Sequence, residues 1–251
     1  MRTLFVSGEV APFTQTSEAA TLVRTLPERL HESGEVETRI MMPRYGIVSE
    51  RRNRLHEVIR LSGTEIPMGE ASETLKVKVA SIPGIRLQVY FMDNNHLFKR
   101  KGIFADRQGK LFTDNLERAL FFGRGVLETI RNLGWGPGVV HAFGWMSGLV
   151  PMLLKTEYAA DPLFAETKLV YTPEEVDFEA RFTAEQIATL GLPEDVTDLS
   201  PVQVGMAYAD AILYPPSLEP EDDAVRFSEE PEEMTEQAIS IYEQVLNGVP
   251  V

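Results

Sequence analysis

The chain has 251 residues with 43% hydrophobic and 9% aromatic content, enough for one large globular domain or two small ones. It holds no cysteine, which excludes a disulfide framework, thiol catalysis and cysteine-held zinc. A net charge of −14 argues against nucleic acid as a partner, because a phosphate backbone needs a basic surface. No apolar run reaches the length of a membrane span, and the N-terminus meets Glu9 too early for a signal peptide. No membrane contact is expected, and a reducing cytoplasm is. The charge is uneven: ten acids and one base, Arg226, lie between Glu219 and Glu243.

The elements follow in order. The apolar run Leu4–Val6 lies in a strand from Arg2 to Val6 that is covered on both faces. Leu22, Val23, Leu26 and Leu30 give a helix from Ser17, as N-cap, to Ser33. Val36 to Met42 is the next strand, completing a βαβ unit and implying a parallel sheet. Strand-like segments are expected at 55–61, 75–82 and 87–92, the last two joined by Pro83-Gly84 as an antiparallel hairpin. A long helix capped by Thr113-Asp114 runs to about Leu133. Trp135 to Lys155 then reads as a strand (Val139–Ala142), a sharp loop and a helix spanning 146–158. Further strands are expected at 168–172 and 211–214. Helices are expected at 184–190, 200–208 and 231–246. Strands alternating with helices, plus one hairpin, define an α/β protein with a mainly parallel twisted sheet. Ligands bind at the carboxyl ends of such strands, so the loop His141–Trp145 is the first place to look for chemistry.

Eight motifs in this order resemble the N-terminal domain of bacterial glycogen and starch synthases, glycosyltransferases of the GT-B fold, family 5. Ser7-Gly8-Glu9-Val10-Ala11-Pro12 is similar to the family's opening S-x-E-x-x-P. Leu26-Pro27, Met42-Pro43-Arg44-Tyr45, and Tyr90 to Asp93 with Leu97-Phe98 fall where the family has L-P, P-x-Y and Y-F-I-D…L-F. Thr113-Asp114-Asn115 with Arg118 matches D-N-x-x-R-F, and Trp135 to Lys155 resembles the family's W-x-P-D-V-V-H-A-H-D-W segment. Gly205 to Asp210 and Val245 to Gly248 resemble G-x-x-Y-A-D and I-L-N-G. The resemblance covers essentially the whole chain. It implies a single Rossmann-like domain over 1–217, with an acidic segment and C-terminal helix (218–251) packing back on it.

The departures fall on positions that the resemblance makes functional. The family's K-T-G-G-L phosphate loop reads Gln15-Thr16-Ser17-Glu18-Ala19 here, so the cation is gone and Glu18 sets a negative charge where a diphosphate would lie. H-A-H-D-W becomes His141-Ala142-Phe143-Gly144-Trp145, and T-I-H-N becomes Thr172-Pro173-Glu174-Glu175. The family's degenerate catalytic positions are therefore Gln15, Gly144 and Glu174. The second, nucleotide-sugar domain is also expected to be missing, since the matched sequence stops near where it would begin. The expected function is a glycogen/starch synthase-like transferase domain of α-1,4-glucan metabolism that is not catalytically autonomous. The alternative is a pseudoenzyme that binds glucan or a protein.

Candidate ligand-binding residues are Glu9, Asp114, Asn115, His141, Phe143 and Trp145. Each has a plainer structural reading. Glu9 is either a sugar contact or a loop carboxylate accepting N–H groups. Asp114 and Asn115, with Arg118, either line the groove or form an N-cap and ion pair. His141 is either a ligand or a hydrogen-bonded strand-end histidine. Phe143 and Trp145 with Tyr171 offer an aromatic platform for some other small molecule. Glu174, Glu175 and Asp177 are a weaker acid–base candidate. The basic runs Arg51, Arg52, Arg54 and Lys99 to Lys101 either meet an anion or are solvated faces. No His cluster has metal-ligand spacing, and no metal or cofactor is expected. Expected partners are an α-glucan or nucleotide sugar, and a protein partner or second copy on an exposed apolar face.

Overall fold

A computed structural model describes residues 1–85, 87–220 and 224–249. The elements in order are β1 (Arg2–Ser7), α1 (Glu18–Glu32), β2 (Glu37–Pro43), α2 (Glu50–Asn53), β3 (His56–Glu57), β4 (Thr64–Met68), β5 (Ala71–Ser81), β6 (Gln88–Asp93), α3 (Asn95–Phe98), α4 (Asn115–Leu133), β7 (Val139–Phe143), α5 (Val150–Lys155), β8 (Lys168–Thr172), α6 (Ala184–Leu190), α7 (Pro201–Tyr208), β9 (Ala211–Tyr214), β10 (Val225–Arg226) and α8 (Pro231–Leu246). The strands form one sheet in the order β10-β9-β8-β7-β1-β2-β6-β5-β3, with β4 paired to β5. The pairings from β10 to β6 are parallel, and β5 is antiparallel to β6, β3 and β4. This is the expected α/β class with its hairpin excursion.

The central strands are covered on both faces, as their apolar runs require: Leu4, Phe5 and Val6 of β1 and all of β7 are buried. Crossovers between parallel strands are right-handed. The chain moves outward from β1 through β2 to β6, then returns to β7 on the other side of β1, so α1 and α4 cover opposite faces. α1 packs on β1, β2 and α8, whereas α4 packs on β2, β4, β5, β6 and α5. The reversal between β1 and β7 is the topological switch point.

Several boundaries differ from the sequence reading. The 55–61 segment holds only the two-residue β3, followed by a 3-10 turn at Ile59–Leu61. The expected helix 146–158 divides into a 3-10 turn, Trp145–Ser147, and the short α5, because Pro151 lacks the N–H to continue a helix and instead sits in the first turn of a new one. β4 was not expected: Pro67 interrupts its pattern, and the strand survives at the sheet edge, where a missing donor is tolerated. Ser17 and Asp114 hold the N-cap positions of α1 and α4, yet neither side chain caps its helix. The Asp114 side chain is paired with Arg100 instead.

α8 begins with Pro231 and carries Glu232 and Glu233 in its first turn, which suits the positive end of the helix dipole. Its buried face, Met234, Ala238, Ile241, Tyr242 and Val245, lies against α1 and β8, and Glu232 pairs with Arg29 of α1 at 3.3 Å. Among the described residues, no helix is long and apolar enough to cross a membrane. Among the described residues, the large apolar side chains left exposed are Met1, Ile47, Ile59, Leu111, Leu246 and Val249. Ile241→Ala is expected to destabilise the whole fold by about 2–5 kcal/mol, the cost of a core truncation, within a single unfolding transition. Urea unfolding followed by both tryptophan fluorescence and circular dichroism checks this. A separate early transition, or a loss below about 0.5 kcal/mol, would show that α8 is not part of the core.

Candidate functional site

A cavity of about 400 Å³ opens at the carboxyl ends of β1, β8 and β9, beside the switch point. The loop after β1 contributes Glu9, Thr16, Ser17 and Glu18, and the loop after β8 contributes Pro173 to Phe178. Pro215 and Ser217 follow β9, and Phe104 reaches in from the loop before α4. Five carboxylates line it (Glu9, Glu18, Glu174, Glu175 and Asp177), and no Lys, Arg or His does among the described residues. Its apolar wall is Phe104 and Phe178, with ring centroids 5.1 Å apart.

Each carboxylate is held differently. Glu9 is 3% exposed and its two oxygens accept from the Thr16 N–H at 2.9 Å and hydroxyl at 2.7 Å. Ser7 fixes the Glu9 backbone from both sides. Glu18 accepts from the Ser217 hydroxyl, tying α1 to the loop after β9. Glu174 folds back under the cavity and accepts the Trp145 N–H at 3.0 Å, with the Ser17 hydroxyl nearby. Burial raises the Glu174 carboxyl above its ordinary value. The Trp145 N–H and the Ser17 hydroxyl oppose this in part, and the Glu9 charge adds to it. Glu174 also lies directly over Gly144. That residue has φ +72°, and any Cβ there would collide with the carboxylate. Gly144 and Glu174 are therefore mutually dependent: the carboxylate fills the space that a side chain at 144 would need.

The loop singled out in the sequence forms the floor beneath this cavity rather than its lining. His141, Phe143 and Trp145 are all fully buried. The Thr172 hydroxyl donates to the Leu213 carbonyl at 2.8 Å, so it accepts from His141 Nε2, also at 2.8 Å. His141 Nδ1 is then the acceptor for the Tyr242 hydroxyl at 2.6 Å. A neutral imidazole satisfies all three groups, and burial drives its pKa well below the usual histidine value. His141 thus joins β7, β8, β9 and α8. Phe143 stacks on it at 4.0 Å between centroids. Trp145 packs edge-on against Phe104 and Phe178, which places it directly behind the aromatic wall.

Asp114 and Asn115 also lie outside the cavity. Asp114 forms a bidentate pair with Arg100 at 2.5 and 2.6 Å. Burial opposes its ionisation, but the Arg100 hydrogen bonds and charge outweigh that and hold its carboxyl below the ordinary range. Asn115 donates to the Phe104 carbonyl and accepts from Arg118, whose guanidinium also reaches the Leu97 and Ile103 carbonyls. These residues staple the 97–104 loop to α4 and so set the position of Phe104. Gln15 is exposed, with its side chain toward Thr21. Of the residues the sequence marks, Glu9, Glu18 and Glu174 (with the weaker Glu175 and Asp177) line the cavity. Phe104, Phe178 and Ser217 were not singled out, because each arrives from a loop without periodicity.

The raised Glu174 carboxyl has a sign. The folded chain keeps this proton after the unfolded chain has lost it near pH 4.5, so Glu174 lowers stability as pH rises through that window and leaves it lower above. Glu174→Gln is expected to gain stability relative to the parent as pH rises from about 4 to 7, with no gain below the window. Urea midpoints of both proteins across that range test this, and a difference that is flat or shrinks with pH would contradict it.

Residues 2–214 match the starch synthase catalytic domain family. The glycogen synthase of Chlorobaculum parvum is 39% identical over 219 residues, covering 84% of this chain and 45% of that protein. That of Chlorobium limicola is 42% identical over 197 residues, covering 78% and 40%. The catalytic domain of Arabidopsis thaliana starch synthase IV, solved bound to ADP and acarbose, superposes with a TM-score of 0.67 at 17% identity over 84% of this chain and 44% of that one. The chain therefore spans less than half the length of the relatives it matches. On the family match and the shared fold, this chain belongs to the starch synthase catalytic domain family of glycosyltransferases.

Proposed function

We propose that this chain is an α-glucan-binding unit of glycogen/starch metabolism that does not by itself transfer glucose from a nucleotide sugar. The observation that carries this is the cavity lined by five carboxylates and no base, with Glu174 folded over Gly144. Transfer from a nucleoside diphosphate sugar develops negative charge on the departing diphosphate, and a transferase needs donors or cations aimed at it. Losing one such donor typically costs about 2.7–4 kcal/mol in the barrier. Here the nearest fixed charges have the wrong sign, so a diphosphate meets repulsion instead. A neutral polyol meets no such penalty. Carboxylates accept sugar hydroxyls, and the Phe104–Phe178 wall suits a sugar face. The relatives' name, glycogen synthase, and the ADP and acarbose held by the starch synthase IV structure supply the ligand classes for this reading. Cytoplasmic placement belongs to the same proposal, in keeping with a cysteine-free chain.

The purified chain is expected to extend glycogen from ADP-glucose at no more than the background rate, and to be retarded in glycogen-containing gels. Phe178→Ala should remove the retardation. Gln15→Lys combined with Glu18→Gly should raise ADP affinity by roughly ten-fold or more, as about 1.4 kcal/mol of relieved repulsion and gained attraction implies. Extension above background that is lost in Glu9→Ala would overturn the proposal.

A further inference from the structure

A second cavity, of about 730 Å³, lies at the far end of the same β1–α1 loop. Its walls are the turn leaving α2 (Arg52, Asn53, Arg54), His56 of β3, and the tip of the β5–β6 hairpin (Ser81, Ile82, Pro83, Gly84, Ile85). Phe13 and Ala80 complete its lining. The charge here is the reverse of the first cavity: the ionisable lining residues are Arg52, Arg54 and His56, and no carboxylate joins them among the described residues.

That is unusual for a chain of 38 acids and 24 bases. Several basic groups of this half are paired with carboxylates. Arg44 and Lys78 pair with Glu50, Lys78 also pairs with Asp93, and Arg100 pairs with Asp114. Arg52 and Arg54 make no ion pair among the described residues. Arg54 also sits in the left-handed region, φ 54° and ψ 39°, as the C-cap of α2. Glycine is the relaxed residue there, so the arginine side chain is kept against a backbone cost of about 1 kcal/mol. Arg52 and Arg54 both line this concavity and are exposed, so their charges are open to an anion. Their fork geometry matches phosphate oxygens, and Pro83 and Ile85 offer apolar surface beside it.

The geometry points to a second ligand site in this groove, one that takes a small phosphate monoester. Arg52 and Arg54 hold its dianion, and Pro83 and Ile85 pack on its body. The volume falls in the range of small-molecule sites. The site is separate from the first cavity, although the two share a loop: Phe13 lines one, and Thr16 and Ser17 line the other.

The test is titration of phenyl phosphate into the full chain, followed by amide shifts in two-dimensional NMR. Saturable shifts are expected at residues 52–56 and 81–85. Inorganic phosphate should bind more weakly, and phenol should not bind. Arg52→Gln combined with Arg54→Gly, which also relaxes the backbone, should weaken binding by roughly ten-fold or more, whereas Arg51→Gln, outside the lining, should change it less than about two-fold. The unfolding midpoint of each variant shows that the fold is intact. Unsaturable shifts, shifts confined to residues 15–18 and 173–178, or equal binding by the double variant would overturn the assignment. So would binding to phosphatidic acid vesicles without binding of phenyl phosphate, because the phosphate would then be a lipid headgroup.

Discussion

The bond from the Trp145 N–H to the Glu174 carboxylate is the constraint around which this site is built. It draws the loop after β8 down onto the turn after β7, at the point where the sheet reverses direction. Only a residue without a Cβ leaves room for it, so Gly144 is its steric counterpart. The same carboxylate lies beside Ser17 and Glu9 in the cavity lining. In the family pattern the positions of Gly144 and Glu174 carry Asp and His. Gly144 and Glu174 fit each other sterically in this chain.

The scaffold around that bond is held by long-range polar contacts rather than by local propensity. His141 joins three strands to α8 through Thr172 and Tyr242, 101 residues away from the latter. With Nε2–H donating to Thr172, Nδ1 of the neutral imidazole accepts the Tyr242 hydroxyl, and burial favours that neutral form. Asp114, Asn115 and Arg118 act comparably on the 97–104 loop. Their effect on the cavity is indirect: they place Phe104, and Phe104 with Phe178 makes the wall.

Much of the fold was legible in the residues. Helical spacing gave α6 and α8 at their observed ends, and apolar runs marked β1, β7 and β9. The failures have physical causes. Pro67 hid β4, since an edge strand tolerates a residue the pattern reading rejects. Pro151 divided what periodicity made one helix. At the site, Glu9 and Glu174 were legible because family motifs flank them. The burial of His141, Phe143 and Trp145 was not, because it depends on what packs above them from residues 172–178 and 242. The opposition of an acidic cavity and a basic groove at two ends of one loop was also invisible, since it depends on which arginines find carboxylates in three dimensions.

The central claim is that the cavity beside the switch point accepts neutral sugar and refuses diphosphate. Isothermal titration of the intact chain with maltoheptaose and, separately, with ADP addresses it most directly. The account predicts saturable heat with maltoheptaose that weakens in Phe178→Ala, and none with ADP up to millimolar concentration. Saturable ADP binding, lost when Glu9 or Glu174 is replaced by alanine, would contradict it.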